Sequence, residues 1–247
     1  MSVHAQVPAR AHLSPQVKGG ARLGAVSSQL WWLLGGLVLA FGVPFLLADV
    51  AGLQRDLYYA LYVASVFTFV GMWAQRTQQP IRAFLTRRWQ WAVPLGVLAG
   101  VLLVFTVIRE PSTPHPHGLT FVGAILWRGV VYGAADGVLL SVFPILAVFG
   151  LFASKPLRER SKRAVAGIGA LAMVVSLLFT VVYHLGYPDF RGSKVARPVT
   201  GDVIWSVPTL VTLSPLGTPI AHIATHVTAV VHSYDTDLFL PPHEQAN

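Results

Sequence analysis

The sequence contains no cysteine and few charged side chains. Without cysteine there can be no disulfide, no thiolate metal ligand and no cysteine nucleophile. Asp, Glu, Lys and Arg make up 11% of the 247 residues, whereas a soluble globular domain carries about 25%. Apolar residues make up 54% of the chain, so the composition favours a membrane protein over an aqueous domain.

Acidic residues are scarcer than basic ones, with 10 Asp and Glu against 18 Lys and Arg. An excess of positive charge also occurs in nucleic-acid-binding proteins, but here the basic residues lie in short segments between apolar runs. That distribution is typical of the loops that orient a membrane protein. We therefore expect no nucleic-acid partner. The expected partners are the lipid bilayer and a membrane peptide or protein.

Five apolar runs are long enough to cross a bilayer, since a crossing helix needs about 20 apolar residues. They cover residues 30–50, 57–74, 89–108, 119–153 and 164–187. A further apolar region, 203–231, is interrupted by Pro208, Pro215 and Pro219. These prolines predict a broken or half helix before a final span at about 217–233. The expected fold is an all-α membrane bundle with about six transmembrane helices.

The apolar runs form one predicted domain between two polar tails. Residues 1–26 are mostly polar and basic, and we expect a disordered N-terminal tail there. Residues 27–234 are expected to form a single transmembrane helical domain, followed by a C-terminal tail at 235–247. The stretch from Asp189 to Asp202 carries charges of both signs, and we expect it to be a solvated connector.

Basic residues in two loops predict the orientation of the helices. They follow the second and the fourth apolar run, at Arg76, Arg82, Arg87, Arg88, Lys155, Arg158, Arg160, Lys162 and Arg163. Because cytoplasmic loops are enriched in Lys and Arg, we expect these loops and the N-terminus on the cytoplasmic side of a bacterial inner (plasma) membrane. The 119–153 run then crosses once, tilted or kinked near Pro144. The same alternation puts the C-terminal tail in the cytoplasm.

Glycines in the 119–153 run recur every four residues, at Gly129, Gly133 and Gly137. On a helix this spacing puts the three positions on one face. The missing side chains allow a neighbouring helix to approach the backbone closely. We therefore expect a second helix to pack against this face.

A polar stripe with the same spacing, Arg128, Tyr132 and Asp136, lies beside the glycines. A charge within the bilayer is costly unless it is paired or hydrated, so Arg128 and Asp136 are candidates for a function. A polar network that only joins helices would also account for them. The two charges are about 12 Å apart along a helix axis, so we expect each to meet a residue on another helix.

Three histidines form a candidate metal site. His222 and His226 are four residues apart and share a helix face, and His184 lies near the end of the preceding span. Three imidazoles can hold zinc and leave one position for water. The candidate ligands are therefore His184, His222 and His226, with Asp136 or Asp189 as the general base. Hydrogen bonding between helices is the simpler alternative for each histidine.

Three segments carry further motifs. They are GAILWRGVVYG at Gly123–Gly133, SLLFTVVYHLGY at Ser176–Tyr187 and PIAHIATH at Pro219–His226. In this order they resemble the motifs of the CAAX-processing and bacteriocin-processing intramembrane proteases, the Abi group. The family motifs are a glutamate pair followed by an aromatic residue, Arg and Gly, then a Phe-rich helix ending in His, then His followed four residues later by a polar residue.

The resemblance implies a CAAX-protease-like helical bundle with a polar pocket. The pocket residues that it implies are Arg128, His184, His222 and His226. Gly123 and Ala124 stand where the family has its two glutamates, one of which serves as general base. Neither side chain can accept a proton, so the implied function is a non-proteolytic binding or scaffold protein for a lipid, peptide or membrane partner.

Two other functions stay open. One is a membrane-embedded, metal-dependent hydrolase that uses the three histidines and zinc. The other is a transporter that uses Arg128 and Asp136, although no internal repeat is visible. All three functions share one structural expectation, that Arg128, Asp136, His184, His222 and His226 meet in one polar pocket.

Overall fold

A computed structural model describes residues 19–86, 88–235 and 239–242, and within these ranges all regular structure is helical. Most of the predicted N-terminal tail (residues 1–18) and of the C-terminal tail (236–238 and 243–247) lies outside the described residues. The first helix begins at Gly19, within the stretch expected to be a tail.

Besides three short 3₁₀ helices at Leu157–Glu159, Pro188–Phe190 and Ser193–Val195, the described part of the chain contains eight main helices. They are α1 (Gly19–Val43, continued by a π-helical segment at Pro44–Val50), α2 (Arg55–Arg76), α3 (Ile81–Thr86), α4 (Trp89–Val107), α5 (Gly118–Leu151), α6 (Lys162–Leu185), α7 (Ala196–Thr212) and α8 (Gly217–His232). Five of them, α1, α2, α4, α5 and α6, are long and apolar enough to cross a membrane. The predicted all-α membrane bundle is confirmed.

Helix α5 lies at the centre of the bundle. In its most apolar window 72% of the residues are buried, against 22–33% in the other four candidate spans, whose apolar side chains face outward. It runs as one continuous helix, as predicted, but with two π-helical segments, Ile125–Val131 and Val138–Val142. The second directly precedes Pro144, which has no backbone N–H to donate to the preceding turn.

The two ends of the bundle can be told apart by contacts between helix termini. Near the start of the apolar part of α1, Val26–Val50, the side chain of Gln29 accepts a hydrogen bond from Trp73 Nε1 at 2.9 Å and packs against Gly150. Trp73 is near the end of α2 and Gly150 near the end of α5. We call this end the basic face, because it carries the arginine- and lysine-containing segments 77–88 and 152–161.

The opposite end, the C-terminal face, carries the segments 51–54, 109–117, 186–195 and 233–235. Here Arg55, 1% exposed, donates to the backbone carbonyls of Tyr234 and Pro242. The backbone N–H of Thr113 donates to the carbonyl of His232 at 2.9 Å. The chain therefore leaves α8 on the face opposite to the start of α1.

The prediction that the C-terminal tail shares a side with the N-terminus is therefore wrong for the described residues. Helix α7 begins at Ala196, seven residues before the predicted half helix, and extends from the C-terminal face toward the basic face. The turn after α7 puts Gly217 against Ala92, near the start of α4. Helix α8 then returns to the C-terminal face, parallel to α4, so α7 and α8 form a hairpin.

The predicted glycine contact on α5 is confirmed, and its partner is α8. A side-chain carbon at Gly129 would lie 3.0 Å from the Cα of Val227, and one at Gly137 would lie 2.9 Å from the Cα of Pro219. Gly133 faces His226 and the Cα of Ile223. Such distances leave no room for a larger residue. The two helices run antiparallel, backbone against backbone.

Helix α4 packs against another side of α8, also through small residues. Gly96 meets the backbone of Gly217, and Gly100 meets Ala221 and Ala224. Helix α8 is therefore enclosed between two glycine-containing helices. Its histidines are held at fixed positions relative to α5.

Candidate functional site

A cavity of about 490 Å³ lies between α4, α5, α6, α7 and α8. Its buried end is formed by Asp136, His184, His222 and His226. Its rim carries Arg109, Glu110 and Arg197, near the C-terminal face. The walls between are largely apolar and include Leu103, Leu140, Pro198, Ile204, Trp205, Phe239 and Pro241. The cavity therefore combines an apolar passage with a polar end.

The carboxylate of Asp136 is held in a defined orientation. Tyr62, on α2, donates a hydrogen bond from its hydroxyl to Asp136 Oδ1 at 2.7 Å. The other oxygen, Oδ2, is 3.3 Å from Nε2 of His226 on α8. The side chains of Asp136 and His226 are 7% and 6% exposed. Asp136 thus meets residues on two other helices, as expected from the polar stripe.

His222 and His226 carry buried ring nitrogens without hydrogen-bond partners among the described residues. They are both nitrogens of His222 and Nδ1 of His226. The ring of His222 stacks on Trp205, with centroids 4.4 Å apart, and Trp205 Nε1 donates to Thr225 at 3.2 Å. Since buried polar atoms are almost always paired in proteins, these nitrogens are available to a ligand.

His184 enters the cavity from α6 with one nitrogen already engaged. Its Nδ1 lies 2.8 Å from the backbone carbonyl of Thr180. A carbonyl can only accept, so the proton is on Nδ1 and Nε2 has a free lone pair. The side chain is 7% exposed and lines the same cavity as His222 and His226. His184 can therefore act as a proton acceptor or as a further ligand.

Three side chains are close enough to share a metal ion. One ligand atom each from Asp136, His222 and His226 lies within 4.8 Å of the others. This set, found among the described residues, contains Asp136 where the sequence analysis expected His184. One carboxylate and two imidazoles are a common zinc donor set.

Arg128 lies outside the cavity. Its Nε and Nη2 donate to the two carboxylate oxygens of Asp56, on α2, at 2.8 Å each. Its guanidinium also lies 4.9 Å from the ring centroid of Tyr234. Of the five residues expected in one pocket, Asp136 and the three histidines line the cavity, whereas Arg128 binds near the C-terminal face. Asp189, the other candidate base, does not line the cavity either.

A cluster of tyrosines next to Asp136 was not anticipated. The hydroxyl of Tyr183 is hydrogen-bonded to those of Tyr132 at 2.6 Å and Tyr187 at 2.7 Å, and Tyr187 is also bonded to Tyr58. These rings are fully buried. The spacing of Tyr58 and Tyr62 on one face of α2 was the signal available in the sequence. The buried, hydrogen-bonded tyrosines therefore form a rigid environment next to Asp136.

The expectation of a solvated connector is wrong at Asp202, which is fully buried within α7. The carboxylate finds hydroxyl partners on three helices, from Ser141 at 2.9 Å, Ser206 at 3.1 Å and Ser176 at 3.2 Å. Charge alone suggested a loop. Two of the serines that allow the carboxylate to be buried, Ser141 and Ser176, lie far away in sequence.

The chain matches no known protein family, curated protein or solved structure. The resemblance to the CAAX-processing proteases therefore stays a prediction. Of its motif positions, His184, His222 and His226 line the cavity, whereas Ala124 packs in a separate cluster with Val107 and Ala229. The carboxylate in the cavity comes from Asp136, more than three helical turns after the motif positions of the family glutamates.

Proposed function

We propose that the protein is a membrane-embedded hydrolase that uses a metal ion bound by Asp136, His222 and His226. The observation that carries this proposal is the convergence of a carboxylate and two imidazoles, with ligand atoms within 4.8 Å of one another, at the buried end of a cavity. The two unpartnered nitrogens of His222 support it, because a metal ion is a suitable partner for a buried imidazole lone pair.

Zinc is the ion that best fits this donor set. Two atoms bound about 2.1 Å from a tetrahedral zinc ion are roughly 3.4 Å apart. The distance between His226 Nε2 and Asp136 Oδ2 is 3.3 Å. Zinc bound there would polarise a substrate carbonyl and make a water molecule nucleophilic at neutral pH.

His184 is the residue available to accept the proton of that water. Its Nδ1–H donates to the Thr180 carbonyl, which leaves the Nε2 lone pair for the cavity. Tyr62 fixes the carboxylate of Asp136 through a hydrogen bond to the oxygen that faces away from His226. A hydrogen bond of this kind orients a metal ligand and strengthens binding.

The shape of the cavity favours an amphipathic substrate. Leu103, Leu140 and Ile204 give it apolar walls, and the arginines at its rim are positively charged. An acyl chain or an apolar peptide segment fits such walls, with its carbonyl group at the polar end. The substrate class that we propose is an ester or amide of a membrane lipid or membrane peptide.

Metal content tests the proposal directly. Protein purified in detergent without chelators should contain about one zinc per chain, and His222→Ala and His226→Ala should lose it. His232→Ala is a matched control, because His232 is hydrogen-bonded to the Glu110 carbonyl and does not line the cavity. Elemental analysis of the four proteins measures this. Zinc-free wild-type protein after incubation with zinc would refute the metal centre.

Hydrolysis is tested separately with a fluorogenic acyl ester and an internally quenched apolar peptide in micelles. His184→Gln should keep its zinc and lose turnover by about a hundredfold or more, as expected for removal of a general base. Equal turnover in wild type and His184→Gln would contradict the role of His184. Zinc binding with no turnover of either probe would contradict hydrolysis of these substrate classes.

A non-catalytic binding protein with a CAAX-protease-like fold is the second candidate. It is favoured by Gly123 and Ala124, which carry no acid and do not line the cavity. In that case His222→Ala and His226→Ala would change the affinity for a membrane ligand without a metal being involved. Elemental analysis therefore separates the two candidates.

A further inference from the structure

Asp202 is a buried carboxylate that the proposed hydrolase does not use. It is 0% exposed in the middle of the bundle, and no ion pair found in the described part of the chain includes it. An unpaired charge at such a depth costs several kcal/mol in a membrane protein. The compensation for this charge has to come from its immediate surroundings.

Those surroundings consist of oxygen atoms from three helices. Asp202 Oδ1 lies 2.9 Å from Ser141 Oγ on α5 and 3.1 Å from Ser206 Oγ on α7. Asp202 Oδ2 lies 3.2 Å from Ser176 Oγ on α6. Ser176 Oγ is also 2.9 Å from the carbonyl oxygen of Leu140 and 2.8 Å from Ser206 Oγ.

The contacts in this cluster outnumber the protons that could join them. There are five oxygen–oxygen contacts of 2.8–3.2 Å. Ser141, Ser176 and Ser206 supply three hydroxyl protons, and an ionised carboxylate and a carbonyl supply none. When Asp202 is ionised, at least two of the five contacts therefore have no proton of their own and can be bridged only by sharing a serine proton between two acceptors. Such an arrangement is favourable when a cation lies among the oxygens.

Thr180 adds a further oxygen. It lies on α6, one turn after Ser176, and is 1% exposed. Its hydroxyl lies beside the Asp202 carboxylate but forms no hydrogen bond of standard distance and angle with a described residue. A buried hydroxyl without a partner is rare. This oxygen is therefore available as a ligand.

We propose that Asp202, Ser141, Ser176, Ser206, Thr180 and the Leu140 carbonyl form a sodium-binding site that joins α5, α6 and α7. One monovalent cation balances one carboxylate, so the buried site becomes neutral. A divalent ion would leave a net positive charge, and calcium usually binds through several carboxylates. Carbonyl and hydroxyl oxygens at irregular helix segments bind sodium in transporters, and Leu140 lies in the π-helical segment Val138–Val142.

Sodium at this site would support the wall of the cavity. Leu140 contributes its side chain to the cavity and its carbonyl to the oxygen cluster. Thr180 likewise belongs to the cluster and accepts the hydrogen bond from His184 through its carbonyl. Occupation of the site therefore fixes two segments that position the cavity residues.

The test is the thermal unfolding of the full-length protein in detergent, with sodium chloride replaced stepwise by choline chloride or potassium chloride at constant ionic strength. Ligand that binds only the folded state raises Tm. At a tenfold excess over Kd we expect Tm to rise by about 4 °C in sodium relative to choline. Identical Tm values in all three salts would overturn the proposal, and would favour a protonated Asp202 instead.

Variants locate the site. Asp202→Asn should remove the response to sodium, and Thr180→Val should shift the midpoint of the sodium titration upward by about tenfold. Thr209→Val is a matched control, because Thr209 is a buried threonine of α7 bonded to the Ser214 carbonyl, outside the cluster. It should keep the wild-type midpoint. If Asp202→Asn does not fold, Thr180→Val and Ser141→Ala decide the outcome.

The sodium site and the metal centre can be tested independently of each other. Asp136→Asn should lose zinc and keep the sodium response, since Asp136 contributes no atom to the oxygen cluster. A sodium response that persists unchanged in Thr180→Val and Ser141→Ala would overturn the assignment, whatever the zinc content. If the wild-type protein binds no zinc but its Tm still responds to sodium, only the hydrolase proposal is overturned.

Discussion

Tyr62 determines which oxygen of Asp136 faces the imidazoles. Its hydroxyl donates to Oδ1 at 2.7 Å, so Oδ2 is left for His226. The ring is fully buried among other tyrosines, which restricts its movement. The orientation of the carboxylate therefore depends on a single hydroxyl group from α2.

Removing that hydroxyl should weaken metal binding without unfolding the protein. For Tyr62→Phe we expect the affinity for zinc to fall by about tenfold, as is typical when a residue that orients a metal ligand is lost. Competition with a chromophoric chelator measures this affinity. Tyr59→Phe is the matched control, because the buried hydroxyl of Tyr59 has no hydrogen-bond partner among the described residues. A similar loss in both variants would contradict the orienting role.

At this scale the sequence predicted the residues that interact locally. The spacing of His222 and His226 predicted a shared helix face, and both line the cavity. Tyr62 was missed because its partner Asp136 lies on another helix, 74 positions away. Asp202 was missed because two of its three serine partners lie on other helices, 26 and 61 positions away. Patterns along one helix carry no information about such contacts.

Helix α8 is held by glycines, and this makes the site sensitive to the volume of side chains on α5. A side-chain carbon at Gly137 would come within 2.9 Å of the Cα of Pro219 and 3.2 Å of the ring of His222. The backbone of α8 would have to move away. Such a movement displaces His222 from Asp136.

Gly137→Ala should therefore lower both stability and zinc affinity. We expect a loss of about 1–3 kcal/mol in the free energy of unfolding, the usual cost of overpacking. Gly123→Ala on the same helix is the control, since a side-chain carbon there meets no atom within 4 Å. That variant should be as stable as the wild type, because alanine favours a helix over glycine. Thermal unfolding and zinc titration of both variants measure the effects.

The glycine spacing was enough to predict this close packing, and the prolines correctly predicted a break before a last helix at about 217–233. Pro215 lies in the turn between α7 and α8, as predicted, but Pro208 does not break the helix. The start of α7 was missed because the region from Asp189 to Asp202 was expected to be solvated. Helix α7 instead includes Pro208 and begins at Ala196. Asp202 can lie in a buried helix because serine hydroxyls surround its carboxylate. A hydropathy pattern counts Asp202 as a polar residue and does not show these partners, so it predicted a solvated segment.

The whole molecule has two chemically different faces. Segments 77–88 and 152–161 lie on the basic face, and segments 109–117 and 233–235 lie on the C-terminal face. The alternation of basic loops correctly predicted that the first two segments lie at the same end of the bundle, and their cytoplasmic location stays a prediction. The C-terminal segment was misplaced, because the number of crossings depended on the unpredicted length of α7.

The absence of cysteine makes this topology simple to test. Single cysteines can replace exposed residues on either face, as Gln78→Cys, His117→Cys and Asp235→Cys. In intact cells a membrane-impermeant maleimide should label positions 117 and 235 alike and position 78 differently, because a charged reagent does not cross the bilayer. Labelling of position 235 together with position 78 would contradict the hairpin formed by α7 and α8.

Arg55, at the start of α2, helps to close the cavity on one side. Arg55 donates hydrogen bonds to the carbonyls of Tyr234 and Pro242. Phe239 and Pro241, which lie between these two residues in sequence, form part of the cavity wall. Truncation of the chain before Phe239 would remove both residues and open the cavity wall on that side. The part of the cavity wall formed by Phe239 and Pro241 thus depends on a segment that Arg55 and Arg128 hold at the C-terminal face, through the carbonyls of Tyr234 and Pro242 and the ring of Tyr234.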